Sequence, residues 1–187
     1  LYYDIEGNRT DTEGKEGKMK AMGLDLKRSD TPVFVQDFLS EILYMVLTGK
    51  NEQEVLEHIT TFRAQFKSRP GWEKGSPKRA NNMTKYTEAE EKQGRANMPG
   101  HVRASMNWNK CREMYGDKYS MPITDGAKVI VCKLKNKPMG YTSIAYPTDE
   151  LNLPQWFKEM PFDEEAMEET VLDKKVENVI GPMGFDP

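Results

Sequence analysis

Thr31-Pro-Val-Phe-Val-Gln-Asp-Phe-Leu-Ser-Glu-Ile-Leu-Tyr-Met-Val46, together with Asn51-Glu-Gln-Glu-Val-Leu-Glu-His-Ile59, decides how this chain folds. In the first stretch Phe34, Val35, Phe38, Leu39, Ile42, Leu43 and Val46 recur at helical spacing. Thr31 is an N-cap residue type, Pro32 suits a first helical position, and Gly49 is a stop. In the second, Asn51 and Glu54 have the spacing of a capping box, and Val55, Ile59, Phe62 and Phe66 form a narrow stripe that ends before Pro70. Two amphipathic helices joined by so short a connection predict an αα-hairpin.

Working outward, the segment from Ser68 to Pro99 is irregular and rich in Gly, Pro, Asn, Lys and Arg, with a short helix expected from Thr87 to Gln93. A third helix is expected from His101 to Tyr115, with Val102, Met106 and Trp108 on its buried side. Asp125-Gly126 makes a turn, Lys128 to Leu134 a strand, Pro138-Met-Gly140 a second turn and Thr142 to Tyr146 a second strand, together a small antiparallel β element. Asp163 to Val179 reads as an acidic final helix with Ala166, Met167, Val171, Leu172, Val176 and Val179 apolar. At the other end, Leu1 to Tyr3 and Met19 to Leu26 flank a polar stretch and read as a β-hairpin, marginal alone and expected to belong to a sheet completed elsewhere. The fold class is therefore α+β, mainly helical, divided into residues 1–30 and 31–187.

Of 187 residues, 37% are hydrophobic and 30% charged, enough for one ordinary domain. No apolar run reaches the roughly 18 residues of a membrane span, and Leu1-Tyr-Tyr-Asp4 lacks the features of a signal peptide, so no membrane partner is expected. Cys111 and Cys132 have no metal-site spacing and read as packing residues, and His58, next to Glu57, reads as a surface histidine. The carboxylates of Glu164, Glu165, Glu168 and Glu169 read as an exposed helix face. No GxSxG, HExxH or GxGxxG occurs, so neither catalytic nor metal-ligating residues are assigned.

The formal charge of −3 conceals an asymmetry. Residues 67–112 carry 11 basic and 4 acidic side chains, whereas residues 149–187 carry 3 basic and 11 acidic. Within the basic segment lie Gly75-Ser-Pro-Lys-Arg-Ala-Asn-Asn-Met-Thr-Lys-Tyr86 and Met98-Pro-Gly-His-Val-Arg-Ala-Ser105. Lys78, Arg79 and Lys85 bracket two asparagines, a set suited to a nucleic-acid backbone, because cations neutralise phosphates and Asn both donates and accepts. On composition alone a basic loop with no partner fits equally well.

The order of these motifs resembles the C-terminal portion of family B replicative DNA polymerases of the T-even-like bacteriophage type. Lys18-Met-Lys-Ala-Met-Gly-Leu-Asp-Leu-Lys-Arg-Ser-Asp-Thr-Pro32 is similar to the segment that leaves the palm and enters the thumb. Ser76-Pro-Lys-Arg-Ala-Asn-Asn-Met-Thr-Lys-Tyr86 resembles a thumb loop, and Pro99-Gly-His-Val-Arg-Ala104 the run that opens a thumb helix. The paired strands match Asp125 to Val131 and Ile144 to Pro147. The resemblance implies a palm remnant over residues 1–30 and a thumb domain over 31–187.

It implies further that the chain grips primer-template duplex DNA behind the active site, in the cytoplasm of an infected bacterial host. Lys78, Arg79, Lys85 and Arg103 would meet phosphates, Asn81 and Asn82 would shape the loop or meet sugars, and His101 would donate a hydrogen bond near the primer. Lys18, Lys20 and Arg28 are secondary candidates at the palm edge. The polymerase Asp-x-x-Ser-Leu-Tyr-Pro and Asp-Thr-Asp motifs, whose carboxylates hold magnesium, do not occur, so the chain is expected to be inactive alone. No cofactor is assigned to it; magnesium, with the palm, fingers and exonuclease parts, belongs to the complete polymerase. Both ends read as interior to a longer protein, and the hydrophobic tail that meets a sliding clamp in such enzymes does not follow Met183-Gly-Phe-Asp-Pro187. The rival reading is a non-catalytic protein-interaction subunit that does not bind DNA.

Overall fold

The computed structural model describes residues 2–3, 9–10, 26, 28–93 and 98–184. Strands β1 (Tyr2–Tyr3) and β2 (Arg9–Thr10) pair antiparallel, Tyr2 opposite Thr10. The hairpin thus closes earlier than expected, within the polar stretch. Residues 19–25 of the expected second strand lie outside the described residues, and Leu26 is not at a sheet edge but fully buried in the helical core. Apolar burial, worth on the order of 2 kcal/mol for a leucine, fixes its place.

The αα-hairpin forms as its sequence dictates. Helix α1 spans Val33–Leu47 and α2 spans Glu52–Ser68. Asn51 Oδ1 accepts from the Glu54 amide at 2.9 Å while Glu54 Oε2 accepts from the Asn51 amide at 3.2 Å, completing the capping box. Gly49 ends the first helix at φ +84°, a conformation that costs glycine no Cβ clash. The start of α1 differs from expectation: Pro32 occupies the cap position, with no side-chain cap bond, and Thr31 is buried. The Gln36 amide takes over by donating to the carbonyls of Arg28 at 2.9 Å and Thr31 at 2.8 Å, which cinches residues 28–31 into a turn against α1. Across the hairpin Phe38 stacks on Phe62 at 3.7 Å.

The second core rests on a three-stranded antiparallel sheet, β3 (Ser76–Ala80), β4 (Ala127–Lys133) and β5 (Ser143–Pro147), in the order β3-β4-β5. Strand β3 is absent from the sequence reading because Ser-Pro-Lys-Arg-Ala has no apolar alternation. Its edge position tolerates Pro77, and Gly75 just before it lets the backbones close, since a Cβ there would lie 2.6 Å from the Val131 carbonyl oxygen. Helix α3 (Met83–Gln93) begins four residues before the expected Thr87, because Asp125 Oδ1, 42 residues away, accepts from the Met83 amide at 3.1 Å. Helix α4 (Gly100–Met114) covers the sheet with Val102, Met106 and Trp108, as its spacing predicts. The short α5 (Gln155–Lys158) adds the buried Phe157, whose ring meets Trp108 edge-on.

The final helix is continuous but not uniform: α6 (Glu164–Met167), a π-helical turn over Glu168–Asp173, and α7 (Lys174–Ile180). Met167, Val171, Leu172, Val176 and Val179 are buried as the periodicity requires, and Glu164, Glu165 and Glu169 are exposed as expected, whereas Glu168 is drawn inward. Glu168, 14% exposed, lies between Arg63 at 4.0 Å and Lys67 at 3.7 Å, and Asp173 takes Arg63 at 3.0 Å. Among the described residues no helix is long and apolar enough to cross a membrane. The architecture is mainly helical α+β with a small antiparallel sheet.

Lys74 joins the two cores. It lies in the 3-10 turn Gly71–Lys74, its side chain is 3% exposed, and its Nζ donates to Glu164 Oε1 at 2.9 Å and to the Lys67 carbonyl at 3.1 Å. Removing Glu164 leaves a buried charge with one neutral acceptor, whereas Lys74→Met removes the charge and keeps the packed stem. In urea titrations Glu164→Gln is expected to cost about 1–3 kcal/mol and Lys74→Met distinctly less. The reverse order would show that the pair does not bind the cores together.

Candidate nucleic-acid interface

Between the two cores runs a cleft of about 760 Å3. Its positive charge comes from pieces of chain far apart in sequence: Arg28 from the turn before α1, Lys78 from β3, Lys133 from the end of β4, and Lys174 and Lys175 from α7. Asp30 and Asp163 are the carboxylates that line it, so cations outnumber anions five to two among the described lining residues. The first turn of α4 opens onto the same space through Gly100 and His101, with no acidic residue or side-chain cap there to offset the positive end of the helix dipole.

Strand alternation accounts for part of this selection. Lys78 and Arg79 are neighbours on β3 and so project to opposite faces. Lys78 reaches the cleft, while Arg79 Nη1 donates to the Gly126 carbonyl at 3.1 Å. Lys133 Nζ donates to Thr170 Oγ1 at 2.8 Å, a bond that crosses from the sheet to the final helix. Lys175 is only 13% exposed and sits 3.8 Å from Asp30.

Three of the ten residues singled out in the sequence, Arg28, Lys78 and His101, meet in this cleft. Arg79, Asn81, Asn82, Lys85 and Arg103 do not line it. Asn82 holds φ +63° at the turn between β3 and α3, in keeping with a loop-shaping part, and Asn81 is exposed beside it. Lys85 is exposed, with its Nζ 5.9 Å from the Tyr86 ring, and Arg103 is half-buried in the first turn of α4. Lys18 and Lys20 lie outside the described residues. Lys133, Lys174 and Lys175 were not singled out. The signal for the last two was present, because they form the sole adjacent cation pair in a segment with 11 acidic side chains.

His101 differs from the lysines in kind. Burial lowers its pKa below the ordinary 6.5, and the nearby positive charge of Lys78 lowers it further. At neutral pH it therefore presents an uncharged imidazole, able to donate from one nitrogen and accept at the other. Chemically the cleft can hold a polyanion by charge and by hydrogen bonds. Among the described residues no group of three or more His, Cys, Asp or Glu side chains gathers to hold a metal ion.

No protein-family model matches the chain. Over 147 residues, 78% of its length, it is 29% identical to the DNA-directed DNA polymerase of Enterobacteria phage T4. Over an equal span it is 30% identical to the DNA-directed DNA polymerase of Escherichia phage RB69. The chain spans about 15% of the length of each of these relatives. The likeness to T-even-like phage polymerases read from the sequence thus holds over most of the chain.

An NMR titration of His101 tests the electrostatics. Its midpoint is expected below about 6.5, and Lys78→Ala should move it upward by removing one of the two depressing influences. A depressed folded-state pKa means that the unfolded chain takes up this proton first. The His101 contribution to stability is therefore complete above about 6.5 and is lost as pH falls through the folded-state value. A midpoint above 6.5, or one indifferent to Lys78→Ala, would contradict the geometry.

Proposed function

We propose that this chain is the DNA-binding thumb portion of a family B DNA-directed DNA polymerase, and that it grips primer-template duplex behind the active site during phage DNA replication in the cytoplasm of the infected host. The observation that carries this reading is the cleft itself: five cations delivered by four separate segments converge on one groove, in a chain similar to phage polymerases over 78% of its length. Lys78, Lys133, Lys174, Lys175 and Arg28 meet backbone phosphates. His101 donates to the primer strand, and Arg79, Asn81, Asn82, Lys85 and Arg103 extend the contact over the adjoining turn and helices. Phosphate contacts fix register and carry no base information, which suits an enzyme that must copy any sequence.

In this reading residues 1–30 continue a palm and residues 31–187 form the thumb, with Lys18 and Lys20 at the palm edge. The palm, fingers and exonuclease portions, with their magnesium ions, are the partners that perform nucleotidyl transfer, and a sliding clamp is a partner of the complete polymerase. No chemical step is assigned to this chain in this reading, since the Asp-x-x-Ser-Leu-Tyr-Pro and Asp-Thr-Asp motifs belong to the palm. Primer extension by the purified chain alone should stay at background.

The rival, an interaction subunit that ignores DNA, differs in one measurable respect. Each neutralised phosphate contributes about −0.9 to the slope of log affinity against log salt. Five such contacts give a slope of roughly −4 to −5, so raising salt from about 50 to 200 mM should weaken duplex binding on the order of 500-fold. Lys78→Ala or Lys133→Ala should each flatten the slope by about one unit and weaken all duplex sequences alike. Glu165→Gln, on an exposed residue outside the cleft, should leave binding intact. Salt-insensitive binding, or none, gives the ground to the interaction-subunit reading.

A further inference from the structure

Asp30 is out of place for a groove that attracts anions. Its carboxylate lines the cleft at the point where three of the cations come together. Oδ1 lies 3.8 Å from Arg28 Nε and 3.8 Å from Lys175 Nζ, and Oδ2 lies 3.8 Å from Lys78 Nζ. All three separations fall within ion-pair range and beyond hydrogen-bond range. Oδ1 is buried and has no hydrogen-bond partner among the described residues. The carboxylate is thus surrounded by positive charge without being tied to any one donor.

Its position does not depend on those cations. The turn of residues 28–31 is closed by the Thr31 amide donating to the Arg28 carbonyl at 3.0 Å and is held to α1 by the two bonds from Gln36. Backbone geometry therefore delivers a negative charge to the middle of the cationic set. The cations come from three different places: the turn itself, β3 and α7. A backbone phosphate offers the same three groups an anion of similar size, with more oxygens and room to reach hydrogen-bond distance.

We propose that Asp30 is a positioning residue that stands in for phosphate: in the DNA-free chain its carboxylate gathers Arg28, Lys78 and Lys175, and duplex phosphate draws them away from it on binding. This rests on the DNA-binding reading above and deepens it. The expected consequence is opposite to that of an ordinary site residue, since neutralising Asp30 frees cations already held and strengthens the grip. In a salt series with the full chain and a 20-bp duplex DNA, Asp30→Asn should tighten binding on the order of 3- to 10-fold near 100 mM salt, as expected when weak ion pairs longer than hydrogen-bond distance are released. It should also steepen the slope by about one unit.

Asp30→Glu keeps the charge and should restore the parent slope, a rescue that a purely structural role would not track with charge. In the Lys78→Ala background the gain from Asp30→Asn should shrink, because one of the freed cations is gone. Thermal midpoints measured alongside separate folding from binding, and Asp30→Ser serves in place of Asn if that variant does not fold. Parent-like or weaker binding by the neutral variants, with an unchanged slope, overturns this inference and leaves the DNA reading standing. Absence of salt-dependent duplex binding by the parent chain overturns both.

Discussion

One buried cation governs how the two halves of this molecule meet. Lys74 belongs by sequence to the turn that leads into the sheet, yet its ammonium is spent on the Lys67 carbonyl near the end of α2 and on Glu164 at the start of the final helix. Its Nζ also lies 5.7 Å from the Phe66 ring, inside the helical core. A charge withdrawn so far from water must be answered by fixed partners, and both partners stand on helices of the helical core while Lys74 itself leads into the sheet. The start of the final helix is thereby located, and the ion pairs of Arg63 and Lys67 with Glu168 and Asp173 continue the attachment along its length. The cleft exists because this helix is held beside the sheet, with Lys133 bonded across to Thr170.

The same arrangement sorts the charges of a helix that reads as uniformly acidic. Glu164 and Glu168 turn toward cations of the preceding segments, while Lys174 and Lys175 turn toward the groove. A net charge of one sign for a segment therefore says little about the sign it presents to a ligand. What matters is which residues the neighbouring elements neutralise. Here the basic residues of α2 and its following turn pair with Glu164, Glu168 and Asp173, while Lys174, 3.7 Å from Glu169, and Lys175, 3.8 Å from Asp30, line the opening.

Local rules recovered the local structure. The capping box at Asn51, the stop at Gly49, the stripe of α4 and both strands flanking Pro138-Met-Gly140 follow from spacing, because each depends on residues within a few positions of one another. Three features escaped for a common reason. Strand β3 is made by its partner β4, α3 is capped by Asp125, and the Thr31 cap is displaced by a glutamine clamp. Each depends on contacts that a linear reading does not weigh. The cleft divides in the same way: Lys78, His101 and Arg28 stand in stretches whose residue types suggest phosphate, whereas Lys133, Lys174 and Lys175 acquire their place only once sheet and helix are brought together.

The π-helical turn at Glu168–Asp173 adds a residue to the helix between the part that is anchored and the part that faces the groove. At 3.6 residues per turn, a single residue corresponds to about 100° of rotation. The turn therefore acts as a phase element, setting the angular position of α7 independently of α6. Loss of one residue within it would let the helix relax to a regular pitch, leaving Glu164 on Lys74 while swinging the lysine pair around the helix axis. A single-codon deletion could thus rewrite the electrostatic face of the groove with the anchored end of the helix untouched, a change that no substitution at the lysines themselves would reproduce.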